Sequence, residues 1–112
     1  MFFFADKPES VYDNGQGVVR TVLGHEGAMM AVRNDFATGA IGTMHSHPHE
    51  QTTYVLSGRF LFNINGEEHE VKAGDTLHKN SNVIHGCTCL EAGSLLDIFT
   101  PIREDFLTDE QK

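Results

Sequence analysis

The chain has 112 residues, a formal net charge of −8 and a pI near 5.2. This length suits one domain, which we expect to span residues 1–112. The acidic balance argues against nucleic acid or an anionic membrane surface as a partner, although a small anion can still bind locally. The first residues lack a basic leader followed by an apolar stretch, and no segment has the length of a membrane span, so we expect a cytoplasmic protein.

Short apolar or alternating runs, separated by turns that contain glycine, predict β-strands along nearly the whole chain. The runs are Val18–Leu23, Ala28–Phe36, Thr52–Leu56, Phe60–Ile64, Val83–Leu90 and Ser94–Thr100. Asn65-Gly66 tolerates the positive φ angles of a type I′ turn, so it predicts a hairpin from the Phe60 run to Glu68–Val71. In this hairpin Phe60 and Phe62 should share one face. Strands of this length and spacing predict an all-β sandwich or barrel, with a compact jelly roll protecting its edges well.

The two ends of the chain give separate expectations. Phe2–Phe4 is an apolar segment before Asp6 and is a candidate edge strand. An exposed edge invites pairing with a second copy, so we expect a homodimer. The charged tail after Arg103 is either a short helix or a frayed coil.

His45, His47, Gln51 and His85 form a candidate metal site. Residues two apart on a strand point to the same face, so His45 and His47 can both direct a nitrogen to one ion. Pro48 predicts a bend that brings Gln51 to the same ion. Imidazole and amide ligands suit a divalent first-row metal such as nickel, zinc, iron or manganese. Because none of these ligands is anionic, the site keeps the charge of its metal and should attract a carboxylate substrate.

The remaining histidines and the cysteines have simpler interpretations. His49 follows the proline and is expected behind the ligands or in solvent. Cys87 and Cys89 lie two residues apart, and this spacing is poor for an unstrained disulfide. We interpret them as small buried side chains rather than as metal ligands. His25, His69 and His78 are interpreted as satisfied or exposed.

Asp97 stands out in the apolar run Leu95–Phe99. A carboxylate placed there is costly unless it is paired or functional. Asp97 has the parity of Leu95 and Phe99, so it should point inward. The alternative is a structural carboxylate paired with Arg103 or with a buried backbone donor.

Two segments resemble the motifs of the cupin family. Gly39, His45-Ser46-His47, Gln51 and Gly58 have the spacing of the first motif, with Gln51 where glutamate is usual. A second segment resembles the second motif through Gly74, Asn80-Ser81-Asn82 and His85. Here Asn80 and Asn82 replace the usual proline and glycine, and Cys89 stands where asparagine is common. The resemblance implies a double-stranded β-helix, the cupin form of the jelly-roll barrel.

The segment from Asp97 to Phe106 is similar to the ending of the small KdgF cupins of pectin degradation, where glutamine in the first motif is also usual. That resemblance implies a metal at His45, His47, Gln51 and His85, with Asp97, Phe99 and Arg103 as active-site residues. It also implies ring opening of 4,5-unsaturated monouronates from pectin or alginate, a small anionic sugar acid being the substrate. In that reaction Asp97 would relay protons, Arg103 would bind the carboxylate and Phe99 would pack on the sugar.

Two other classes of function stay open from the sequence. A metal-dependent cupin dioxygenase would use similar imidazoles but would need a redox metal and oxygen. A sugar-binding cupin without catalytic activity is the second alternative. Cupins host many chemistries, so their two motifs alone do not choose among these classes.

Overall fold

The computed structural model describes residues 2–8 and 10–107. Within these residues, strands and one 3-10 helix make up the regular structure, as the all-β prediction requires. The strands are β1 (Val11–Asp13), β2 (Val18–Glu26), β3 (Met29–Phe36), β4 (Ile41–His45), β5 (Glu50–Val55), β6 (Arg59–Ile64), β7 (Glu67–Lys72), β8 (Thr76–Lys79), β9 (His85–Glu91) and β10 (Gly93–Thr100). The 3-10 helix is Glu104–Leu107.

The strands form two antiparallel sheets that share one apolar interior. The larger sheet has the order β1-β2-β3-β10-β5-β8, and the smaller has the order β4-β9-β6-β7. Phe36 of the larger sheet meets Phe60 of the smaller edge to face, with ring centroids 5.3 Å apart. Complete burial of side chains of this size stabilises the fold by about 1.5 to 3 kcal/mol each. The jelly-roll prediction is confirmed by this two-sheet architecture.

The predicted hairpin joins β6 to β7. Asn65 and Gly66 both have positive φ, 52° and 86°, as the type I′ turn requires. The Gly66 amide also donates to Asn63 Oδ1 at 3.0 Å. Phe60 and Phe62 both point into the core, at 0% and 3% exposure, so the predicted alternation is confirmed.

Three short strands lie outside the predicted runs: β1, β4 and β8. Each has only three to five residues, so its sequence carries little periodicity. β8 pairs with β5, which places Lys79 opposite Gln51. Strand pairing between distant segments therefore decides these elements.

The candidate edge strand at Phe2–Phe4 is wrong. This segment is irregular, and Phe2 and Phe3 are 97% and 75% exposed. Phe4 packs over Gly24, where an added Cβ would lie 2.8 Å from the Phe4 ring. One edge of the larger sheet is instead β1, which pairs with β2.

The C-terminal segment turns back onto the larger sheet. Its 3-10 helix buries Phe106, whose backbone carbonyl accepts a hydrogen bond from Ser10 Oγ at 2.9 Å. Of the two alternatives for the tail after Arg103, a short helix or a frayed coil, its first residues form the short helix. Residues 108–112 of the tail lie outside the described residues. No helical segment in the described chain has the length and hydropathy needed to span a bilayer.

Candidate metal centre

Three histidines converge at one end of the barrel. His45 and His85 are directly opposite each other on β4 and β9, and their ring centroids are 4.5 Å apart. His47 lies 5.3 Å from His45 and 5.0 Å from His85 by the same measure. One nitrogen from each ring lies within 4.8 Å of the others. The cluster predicted from spacing is therefore brought together.

The route by which His47 reaches the cluster differs from the prediction. The sequence interpretation placed His45 and His47 on one strand, but β4 ends at His45 and His47 lies in the connection to β5. The register of β4 against β9 shifts between Gly42 and His45, as at a β-bulge. The bend attributed to Pro48 starts earlier than expected.

All three rings are oriented in the same way by backbone carbonyls. Nδ1 of His45 lies 2.7 Å from the Thr43 carbonyl oxygen, and Nδ1 of His85 lies 2.9 Å from that of Val83. The His47 Nδ1 lies 3.0 Å from the His49 carbonyl oxygen. A carbonyl only accepts, so each Nδ1 carries the proton and each Nε2 keeps a lone pair. This arrangement is typical of metal-binding imidazoles.

His85 shows most directly that the donor set suits a metal. Its Nε2 is buried and has no hydrogen-bond partner among the described residues. Burial lowers the pKa of His85 to about 4, against the opposing hydrogen bond to Val83, so the ring is neutral at pH 7. A buried lone pair without a donor is costly unless a cation binds it. The neutral form of His47 is favoured as well, because burial and the Arg103 charge lower its pKa.

Gln51 completes this donor set from the other sheet. Its Oε1 lies 3.0 Å from His47 Nε2, while its Nε2 donates to Asp97 Oδ1 at 2.8 Å. The bond to the carboxylate fixes which end of the carboxamide is nitrogen, so the oxygen faces the histidines. His45, His47, His85 and Gln51 thus offer three nitrogens and one oxygen, a set that can hold a divalent cation.

Asp97 points inward from β10, as its parity predicted, and is only 3% exposed. Oδ1 accepts from Gln51 and also from the Thr53 hydroxyl. Oδ2 accepts from Asn34 Nδ2 at 2.7 Å. The alternative pairing of Asp97 with Arg103 is not the one observed, because Arg103 bonds to Asp105 instead.

Arg103 lies between the cluster and the 3-10 helix. Its Nε and Nη2 donate to the two Asp105 carboxylate oxygens at 3.1 and 2.9 Å, and its guanidinium lies 4.2 Å from the Phe106 ring centroid. Burial raises the pKa of Asp105, but the Arg103 hydrogen bonds outweigh this and hold it below its ordinary value. Arg103 Nη1 takes no part in this pair.

Phe99 forms the apolar side of the site. Its ring is 2% exposed and lies 5.8 Å from the His47 ring and 5.7 Å from the Phe106 ring. It therefore supports His47 from behind and joins the histidine cluster to the C-terminal segment.

A cavity of about 280 Å³ connects these groups. It is lined by His45, Gln51, His85, Asp97, Phe99 and Arg103. Six of the seven residues that the sequence singled out therefore face one cavity, and the seventh, His47, contacts Gln51. This volume is near the lower end for small-molecule sites, so it suits a compact ligand.

The second motif reaches His85 through a turn in which asparagine replaces glycine. Asn82 has φ of 65°, a left-handed conformation that asparagine tolerates better than most residues. Its backbone N–H donates to the His47 carbonyl oxygen at 2.7 Å. The turn is therefore intact, and it ties the two ligand-bearing segments together.

Lys79 lines the same cavity and was missed from the sequence. It is 1% exposed, and its Nζ donates to Thr53 Oγ1. Burial lowers the pKa of the Lys79 ammonium, whereas the Asp97 charge raises it. The available signal was its parity with Leu77, which also points inward from β8.

The other candidates behave as expected. Cys87 and Cys89 are free thiols, and burial raises the pKa of Cys87 to about 11, so they are small protonated side chains. Among the surface histidines, His69 pairs with Glu67 and His78 with Glu50. None of these four residues belongs to the metal-ligand cluster found among the described residues.

Comparison with known proteins assigns the family. Residues 32–99 match the Cupin domain family. The pectin degradation protein KdgF of Dickeya dadantii (strain 3937) is 40% identical over 107 residues, which cover 94% of this chain and 97% of that protein. This chain is a cupin of the KdgF family. The resemblance drawn from the two motifs and the C-terminal segment is thereby confirmed.

Solved structures agree with this assignment. An RmlC-like cupin from Shewanella frigidimarina NCIMB 400 is 40% identical, with a TM-score of 0.86 and coverage of 94% of both chains. KdgF from Halomonas sp. is 35% identical, with a TM-score of 0.84 and coverage of 92% of this chain and 96% of that one. The similarity therefore extends over both sheets of this KdgF-family cupin.

Proposed function

We propose that this protein catalyses the metal-dependent ring opening and ketonisation of 4,5-unsaturated monouronates, which gives linear 5-keto-4-deoxyuronates. We assign His45, His47, Gln51 and His85 as the metal ligands and Asp97, Phe99 and Arg103 as active-site residues. Membership of the KdgF family and the shared cavity support this assignment. Both pectin-derived and alginate-derived uronates are included, because they yield the same unsaturated acid skeleton at C4 and C5.

The chemistry asks for one proton to be moved twice. An unsaturated uronate is a cyclic hemiacetal whose ring oxygen belongs to an enol ether. Removal of the C1 hydroxyl proton and cleavage of the bond from C1 to the ring oxygen give an aldehyde and an enolate. Protonation at C4 then gives the ketone, so the reaction is an isomerisation that needs neither water nor a redox cofactor.

The observation that carries the proposal is the hydrogen bond from Gln51 Nε2 to Asp97 Oδ1. It places a buried carboxylate one side chain away from the metal-binding donor set. A bound divalent metal supplies Lewis-acid stabilisation of the negative charge that develops on the substrate oxygen. Asp97 then takes the proton from the C1 hydroxyl and delivers it to C4, a role worth about 10² to 10⁴-fold in general acid-base catalysis.

The remaining residues hold the substrate. Arg103 presents a cation at the cavity wall, and Asp105 fixes its orientation through two hydrogen bonds. We assign the substrate carboxylate to Arg103, with Nη1 as donor. Phe99 gives the sugar ring an apolar wall beside His47 and limits the entry of water.

Proton NMR of unsaturated galacturonate in deuterated water tests the reaction. Protein stripped with chelator is compared with the same protein reloaded with zinc, nickel, iron or manganese in turn. The proposal expects rapid loss of the vinyl H4 signal and deuterium at C4 only in reloaded samples. A rate equal to the blank with every metal refutes it, and strict dependence on oxygen would indicate a dioxygenase instead.

Asp97→Asn tests the proton carrier. Asparagine is nearly isosteric, and its Oδ1 can still accept from Gln51 and Thr53, so the metal content should stay at the wild-type level. We expect turnover to fall by at least about 10²-fold. An active Asp97→Asn variant contradicts the role of Asp97, and loss of metal shows that the substitution acted on the centre.

A homodimer and cytoplasmic residence belong to the same proposal. Exposed Phe2 and Phe3 offer apolar surface for a second copy. Light scattering at micromolar concentration should give twice the 12.4 kDa chain mass. A monomeric mass refutes the dimer, and cell fractionation tests the compartment.

A further inference from the structure

Lys79 is among the most deeply buried side chains of the described protein, at 1% exposure. Lysine is almost never buried to this extent unless it is paired. Its ammonium donates to Thr53 Oγ1 and lies 4.9 Å from the Phe62 ring centroid. The mechanism above gives this cation no task, although it borders the same cavity.

The direction of the hydrogen bonds gives Lys79 a consequence for Asp97. An ammonium group has donors only, so Thr53 Oγ1 must accept from Lys79. The single hydroxyl hydrogen of Thr53 is then directed to Asp97 Oδ1. The bonds run in one direction, from Lys79 to Thr53 to Asp97.

Asp97 connects this chain of hydrogen bonds to the metal-binding donor set through Gln51. As an acceptor at Oδ1, it takes the Gln51 Nε2 hydrogen at 2.8 Å. That bond keeps Gln51 Oε1 on the side of His47, 3.0 Å from its Nε2. A rotated carboxamide would place the Gln51 NH₂ group against the metal-binding nitrogens and remove an oxygen ligand.

We propose that Lys79 is a positioning residue which, through Thr53, holds Asp97 as an acceptor and thereby orients the Gln51 oxygen toward the metal. The catalytic half of this proposal rests on the proposed function, whereas the metal-binding half does not. Lys79 acts through Thr53 because Thr53 is 0% exposed and lies between the ammonium and the carboxylate. The effect is local orientation inside a buried network, where few alternatives are available to the side chains.

Thr53→Val and Thr53→Ser form the matched test, because valine keeps the shape of threonine without its hydroxyl and serine keeps the hydroxyl. Zinc affinity is measured by competition with a chromophoric chelator, and kcat and KM are measured on unsaturated galacturonate. We expect Thr53→Val to weaken zinc binding by about 10-fold, as loss of a ligand-orienting bond does. We expect kcat to fall by about 3- to 10-fold, the value of one net hydrogen bond, with KM nearly unchanged. Thr53→Ser should match the wild type in all three.

Lys79→Met and the double variant with Thr53→Val test whether the two residues act as one chain. Methionine keeps the apolar stem and removes the ammonium. If Lys79 acts through Thr53, the double variant should lose no more kcat or zinc affinity than the more impaired single variant, within about 2-fold. Losses that multiply overturn the proposal, as does wild-type zinc affinity in Thr53→Val.

The two proposals fail separately. Absence of turnover by the zinc-loaded wild type refutes the proposed function and leaves the zinc series as the test of Lys79. Turnover by the wild type with unchanged kcat and zinc affinity in Thr53→Val refutes the role of Lys79 alone. If Lys79→Met does not fold, the valine and serine variants of Thr53 still decide the outcome.

Discussion

Removal of the Asp97 charge should destabilise the protein mainly through Lys79. In Asp97→Asn the new carboxamide oxygen can accept from Gln51 and Thr53, as the carboxylate does. The new NH₂ group meets Asn34, whose side chain can rotate to present its oxygen. The hydrogen bonds can therefore be kept, and the loss is the negative charge that Thr53 links to a buried ammonium.

The magnitude follows from the burial of both groups, 3% for Asp97 and 1% for Lys79. Loss of one partner from a buried charge pair costs about 3 to 5 kcal/mol. Asp97 and Lys79 are linked through Thr53 rather than in direct contact, and Lys79 keeps its bond to Thr53 and its position over Phe62, so we expect the lower value, about 3 kcal/mol. Lys79→Met alone should cost about 1 to 2 kcal/mol, because Asp97 keeps three donors.

Urea unfolding at pH 7 of chelator-treated protein measures these differences. The Asp97→Asn/Lys79→Met double variant should be about 2 kcal/mol more stable than Asp97→Asn, since it no longer contains an uncompensated buried cation. It should nevertheless be inactive, which separates the stability effect from the catalytic one. If the two destabilisations simply add, the two charges are not coupled and the reasoning is wrong.

Three further outcomes are expected. Stability of the metal-free protein should fall by about 3 kcal/mol as the pH drops from about 6.5 to 4, because the unfolded chain protonates His85 at its ordinary pKa of 6.5 and the folded chain only at about 4. In urea titrations, His85→Gln should reduce this dependence of stability on pH. An unchanged dependence in the variant would assign it to other groups. Gly66→Ala should lower the free energy of unfolding by about 1 kcal/mol, since Gly66 has φ of 86° but open space around its Cα. Gly58→Ala should lower it clearly more, because its Cβ would lie 2.5 Å from the Glu91 carbonyl oxygen. Equal losses of stability in thermal unfolding would contradict this expectation. Zinc at about 100 times its Kd should add about 2.7 kcal/mol to stability, which is measured as a rise in Tm. The rise should be smaller in His85→Gln. A wild-type Tm that zinc leaves unchanged would mean that the histidines do not bind it.

Local sequence features were sufficient for much of the fold. Asn65-Gly66 sets the turn between β6 and β7 because few other dipeptides accept two positive φ angles. The alternation at Phe60 and Phe62 defines the core face because the side-chain period of a strand is two. Both signals depend on neighbouring residues only, so they can be read without the rest of the chain.

The candidate site was predictable as a set of residues but not as a geometry. Histidine and glutamine at these intervals indicated a metal site, yet His47 reaches it from a connecting segment rather than from β4. Phe2–Phe4 has the composition of a strand, but β1 occupies the sheet edge instead. These outcomes depend on the pairing of distant strands, which a local pattern does not encode.

An all-β cupin with a neutral set of metal-binding side chains could be predicted from local patterns, because turn chemistry, alternation and ligand type are properties of individual residues and close neighbours. The bond from Arg103 to Asp105 and the burial of Lys79 behind Thr53 and Asp97 are evident only in the folded chain. A lysine on a short strand is ordinarily a surface residue. Only the register of β8 against β5, set by the packing of both sheets, turns it into the cavity.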